Sequence, residues 1–128
     1  MTKVQFNGKH GLISINVSIK GINGIGTFVF AIDTGATTTL INPDVLETLG
    51  YKKTDIIDNI SITTGSRIEK AQLYKVSSIK ALGLTRQNLK VISHKLPLTT
   101  YVDGLIGLDF FRNKKLTINF TKGDVELE

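Results

Sequence analysis

The sequence predicts a mainly β fold, a small closed or nearly closed barrel with one or two short helices. Three observations lead there. Apolar and polar residues alternate in several short stretches, as at Ile13, Ile15, Val17 and Ile19, and a period of two is the sign of a half-buried strand. Turn-forming groups such as Asn23-Gly24 and Lys122-Gly123-Asp124 separate these stretches. Helix signals are confined to two short segments, near residues 42–50 and 108–112. The 128 residues fit one domain, 1–128. A chain of this size buries about two-thirds of the surface it exposes when unfolded.

The elements follow in order. Ile13 to Ile19 make a strand, Asn23-Gly24 turns it, and Thr27-Phe28-Val29-Phe30-Ala31-Ile32 reads as a strand buried on both faces. Val29 and Ile32 are expected to support the core. Asn42 suits a helix N-cap and Pro43 the first helical position, where its missing N–H costs nothing. Val45, Leu46 and Leu49 give that helix an apolar face, and Gly50 ends it. Ile60 and Ile62 alternate up to a turn at Thr64-Gly65-Ser66. Ile68, Leu73, Val76, Ile79 and Leu82 suggest one long or bent strand, and Leu89 and Val91 another. Leu108 to Arg112 can form a second short helix after Gly107. Leu116, Ile118 and Phe120, then Val125 and Leu127, form a closing hairpin.

Composition narrows the chemistry. Without cysteine there are no disulfides, no thiolate nucleophile and no cysteine-based metal site. Two histidines, His10 and His94, are too few for a multi-histidine metal site, and His94 reads as an exposed loop residue. No metal or other cofactor is expected. The net charge of +5 comes from scattered lysines and arginines without interleaved aromatic residues, which argues for a solvated basic surface rather than a nucleic-acid platform. No apolar run reaches the ~20 residues of a membrane span, and the start has no apolar signal segment. A cytoplasmic protein is expected. The glycines of Gly21-Ile22-Asn23-Gly24-Ile25-Gly26 lead into a strand, whereas a phosphate loop must open a helix. A hairpin turn is the expectation there.

The strongest chemical signal is Asp33-Thr34-Gly35-Ala36-Thr37 at the end of an apolar strand. A carboxylate there needs hydrogen-bond donors or must stay protonated. Gly35 lets backbone N–H groups approach it, and Thr34 and Thr37 offer hydroxyls. On spacing alone, an Asp that merely caps its own turn explains the pattern as well as a catalytic one does. Asp103 is expected in a turn, and Asp109 in the first turn of a short helix, where a negative charge is favourable.

Asp33-Thr34-Gly35-Ala36-Thr37 behind a hydrophobic strand resembles the active-site motif of aspartic proteases. Leu105-Ile106-Gly107 followed by a short helix is similar to that family's distal glycine motif. Thr64-Gly65-Ser66 stands where the retropepsin-like members have a flap hairpin. The resemblance runs from about Ser14 to Phe120 and implies a small acid-protease barrel with that flap. It implies an endopeptidase in which two carboxylates share one proton and activate a water. The chain holds one Asp-Thr-Gly only. The resemblance therefore implies a homodimer, Asp33 coming from each protomer, with Thr34 bonding across the two-fold axis and Gly65 letting the flap close. An extended peptide or protein segment is the implied substrate. Two departures stand out. The chain continues past Phe120 into a C-terminal hairpin, nearer to cellular or bacterial relatives than to viral ones, and its flap has less glycine. The rival expectation is a non-catalytic peptide-binding or dimerisation module with the same fold.

Overall fold

A computed structural model describes residues 2–97 and 100–128. Among them the strands are β1 (Thr2–Gln5), β2 (Ser14–Lys20), β3 (Ile25–Ile32), β4 (Leu40–Ile41), β5 (Asp58–Thr64), β6 (Arg67–Ala81), β7 (Leu84–Ser93), β8 (Gly104–Ile106), β9 (Leu116–Asn119) and β10 (Asp124–Leu127). The helices are α1 (Pro43–Thr48) and α2 (Leu108–Phe111), with one 3-10 turn at Lys53–Asp55. Strands β2-β3-β8-β4-β7-β6 pair in that order, and β6 pairs back onto β2, so six strands close a barrel. The mainly β barrel with two short helices read from the sequence is what forms. No helix among the described residues is long and apolar enough to cross a membrane.

The alternation of β2 does what period two requires. Ile15, Val17 and Ile19 point inward and are at most 4% exposed. They meet Phe30, Val76, Ile79, Val91, Ile106 and Phe110 in one core. The loop after β2 closes by a bond from Gly21 N–H to the Gly24 carbonyl, a hairpin turn. Helix α1 starts where expected: the Asn42 side chain accepts from Asp44 N–H, Pro43 opens the helix, and Val45 and Leu46 are buried.

Several expectations need correction. β3 is not buried on both faces along its length. Phe30 and Ala31 are inside, but Val29 is 39% exposed. The reason is topological: β8 pairs only with Phe30–Ile32, and the first part of β3 has β2 alone beside it. Leu82 belongs to a turn, not to the long strand, and takes a positive φ of 51° next to Gly83. Phe120 lies past the end of β9 and is exposed, stacked edge-on against Phe6 at 6.1 Å. His94 is not an exposed loop residue; its side chain is half-buried against Glu69.

Three strands carry too few residues to announce themselves. β1 is held by β10, through pairs such as Val4 with Val125, and β10 also pairs with β9. β4 has two residues and β8 three. Those two short strands decide where the loop after β3 goes.

Candidate active site

β3 and β8 run parallel, and β8 also pairs antiparallel with β4. β8 therefore lies between two strands that follow each other in the chain. The segment from Asp33 to Thr39, which joins β3 to β4, must cross over the end of β8. That crossing places the Asp33-Thr34-Gly35 turn against Leu105-Ile106-Gly107, 72 residues later in the sequence.

Backbone hydrogen bonds fix the crossing. Asp33 N–H donates to the Ile106 carbonyl at 2.9 Å, and Leu108 N–H donates to the Ala36 carbonyl at 2.8 Å. Ala36 N–H closes the turn on the Asp33 carbonyl at 3.2 Å. The Asp33 carboxylate, half-buried, accepts from Gly35 N–H at 2.9 Å. A Cβ at residue 35 would stand 3.2 Å from that same oxygen, so glycine leaves room for the acceptor. Gly107 is needed for space rather than for φ: a Cβ there would lie 2.7 Å from the Ala36 carbonyl oxygen and 2.9 Å from the Thr38 carbonyl carbon. Leu105 pairs with Ala31 and Leu40, and Ile106 with Ile32, beneath the loop.

Thr39, which the sequence did not single out, and Asp109, expected only to favour a helix start, complete the support. Thr39 is fully buried. Its hydroxyl donates to Asp109 Oδ1 at 2.7 Å and accepts from Gly107 N–H at 3.2 Å. Its N–H reaches both Asp109 oxygens at 3.0 Å. The Asp109 carboxylate thus locks the end of the Asp33 loop to α2. This goes beyond the favourable helix-start position expected of it. Asp103 likewise accepts from Val29 N–H at 3.0 Å and ties β3 to the segment before β8. Both carboxylates are committed to backbone amides. The only sequence hint for Thr39 was the run Thr37-Thr38-Thr39, which does not say which threonine faces inward. Thr34 and Thr37 are exposed.

The Thr64-Gly65-Ser66 turn ends the β5–β6 hairpin, with Thr64 paired to Arg67 and Gly65 at a φ of +60°. No hydrogen bond among the described residues joins this turn to the Asp33 loop. A cavity of about 600 Å³ lies beside β3, lined by His10, Leu12, Ser14, Val29 and Tyr101 among others. Val29, expected in the core, is part of its wall. It precedes Asp33 by four residues, about 13 Å along an extended strand. Among the described residues no three His, Asp or Glu side chains gather to hold a metal ion.

The comparisons agree with this geometry. The model of the aspartyl protease family matches residues 15–110, which include the Asp33 loop, the hairpin and the distal glycine motif. Among solved structures, the chain is similar to a retropepsin-like aspartic protease from Rickettsia conorii, at 21% identity and a TM-score of 0.73. That match covers 98% of this chain and 87% of the other. No curated protein matches. Family membership and fold support a peptidase. With three-quarters of its length matched by the family model, and with the barrel that places Asp33 over the distal glycine, this chain belongs to the aspartyl protease family and has the retropepsin-like fold.

Proposed function

We propose that residues 1–128 form one retropepsin-like domain that acts as an aspartic endopeptidase in a homodimer. The observation that carries this reading is the Asp33 turn, which is pinned over β8 and α2 by backbone bonds in a chain of the aspartyl protease family. Asp33 from each protomer meets at the two-fold axis. The carboxylates of Asp103 and Asp109 are already engaged by Val29 and Thr39, which supports a second copy as the source of the partner acid.

Two carboxylates at close range do not both ionise comfortably, so the pair holds one proton. The ionised member takes a proton from a water as its oxygen bonds to the peptide carbonyl carbon. The protonated member gives its proton to the carbonyl oxygen. The tetrahedral intermediate then collapses: the C–N bond breaks, the nitrogen takes the proton that the first carboxylate drew from water, a hydroxyl of the intermediate returns a proton to the second carboxylate, and a carboxylic acid and an amine result. Thr34, exposed on the loop, bonds across the axis, and Gly35, Ala36 and Thr37 hold the turn in shape. The β5–β6 hairpin, with Thr64, Gly65 and Ser66 at its tip, closes over the substrate and excludes water. The substrate is an extended peptide segment, and the cavity at Val29 and Tyr101 takes a side chain a few residues from the scissile bond.

A second reading draws on the β1-β10-β9 sheet, which pairs the terminal strands inside one protomer. If that sheet prevents symmetric pairing, the protein is a non-catalytic peptide-binding module. Sedimentation equilibrium across a micromolar range separates the two. A mass near twice 14.0 kDa, with peptide cleavage lost in Asp33→Asn, is the expected result. A monomer at every concentration, without cleavage, would overturn the protease reading.

A further inference from the structure

The β5–β6 hairpin reaches beyond the barrel. β7 pairs with β6 only from Gln72 onward, so among the described residues Arg67–Ala71 have β5 as their only strand partner. A two-stranded arm by itself is marginally stable in water. Something else has to set its angle to the barrel.

His94 is placed to do so. It follows the last residue of β7, Ser93, which pairs with Gln72 where β6 leaves the barrel. Its Nε2 lies 2.9 Å from Glu69 Oε2 on the arm. The same oxygen accepts from the Thr64 hydroxyl at 3.1 Å, at the edge of the turn. Among the described residues this is the one polar side-chain contact that joins the arm to the barrel. The His94 side chain is 19% exposed and Glu69 38%. Water reaches this bond only in part, and a bond to a carboxylate is stronger than a neutral one. The backbone of His94 is held as well, its N–H donating to the Ile41 carbonyl at 3.2 Å. Ile41 belongs to β4, which leads directly from the Asp33 loop through Thr39. One chain of contacts thus runs from the Asp33 loop through β4 and His94 to Glu69 and the hairpin turn.

We infer that His94 is a positioning residue: through Glu69 it holds the β5–β6 arm at the angle from which it receives substrate. This rests on the reading of the arm as a flap. His94 touches neither substrate nor Asp33; it acts through Glu69 and Thr64.

Amide hydrogen exchange and steady-state kinetics on the full chain test it together. In His94→Ala and in Glu69→Ala, amides of residues 60–71 are expected to exchange at least fivefold faster, while β2, β3 and the inner half of β6 keep their protection. His94→Gln, whose side-chain amide can donate to Glu69, is expected to restore most of that protection. With a cleavable peptide, KM is expected to rise three- to tenfold in the alanine variants and kcat to stay within about twofold. Unchanged exchange in the arm would overturn the inference. So would faster exchange with KM unmoved, because the arm's angle would then not matter to substrate. If the native protein cleaves no peptide, the flap reading fails separately, and exchange alone decides whether His94 holds the arm.

Discussion

Two turns in this molecule have nearly the same sequence, Asp33-Thr34-Gly35 and Thr63-Thr64-Gly65, and opposite surroundings. The first is crossed over β8, bonded to Ile106 and Leu108, and backed by the Thr39–Asp109 lock. The second ends a two-stranded arm with, among the described residues, a single polar side-chain tether. Their glycines differ in the same way. Gly107, under the first turn, is required because there is no volume for a methyl group. Gly65, in the second, has open space around it and is required only for its positive φ. The contrast teaches that rigidity here comes from long-range bonds placed on a turn, not from the turn's own residues. It also suits the two roles proposed, a carboxylate that must not move and a cover that must.

The contrast can be pressed at each end. The largest effect is expected from Asp33→Asn. The amide oxygen of asparagine can still accept from Gly35 N–H, so the urea midpoint should stay close to native while cleavage falls to background. A large loss of stability would mean that the carboxylate serves mainly as a turn cap. Next is Gly107→Ala, where the added methyl meets backbone atoms that cannot rotate away. Overpacking of this kind costs about 3 kcal/mol, read as a drop in the unfolding free energy. Gly65→Ala should cost about 1–2 kcal/mol, the strain of a left-handed residue. Equal losses at the two glycines would break the comparison.

The smallest effect appears only in alkali, and it concerns the inner half of β6 where the strand has re-entered the barrel. Burial raises the Tyr74 phenol above its ordinary 10.0, and the nearby Asp55 charge adds to the rise. Folding therefore favours the neutral phenol. Its contribution is fully present below pH 10.0 and is lost as pH rises from there through the folded value. Urea titrations of the native protein and Tyr74→Phe, compared between neutral pH and about pH 11, should diverge only at the alkaline end. Parallel curves would show that this half of β6 does not discriminate between the two forms of the phenol.

Much of the fold was legible. β2, α1, β6 and the C-terminal hairpin carry period-two or capping patterns that act locally, and the structure has them where the residues put them. The Asp33 turn and the distal glycine were legible as motifs. What stayed hidden was short or depended on a distant partner. β4 and β8 have two and three residues, too few to show a period, and β1 holds a single aliphatic residue, Val4, paired to the distant β10. The surface side of β3 was misread because its burial depends on how far β8 extends along it. His94 looked like a loop residue because Glu69 is remote in sequence.

The sequence by itself determined the β content, the helix ends and the turn chemistry at Asp33 and Gly65. Each is settled within a few residues by side-chain period, φ tolerance and hydrogen-bonding groups. Only the tertiary structure decided which six strands close the expected barrel and in what order, that Thr39 rather than its neighbours faces Asp109, and that His94 reaches the arm. Those outcomes depend on contacts between segments dozens of residues apart, and local propensity does not contain the register that brings them together.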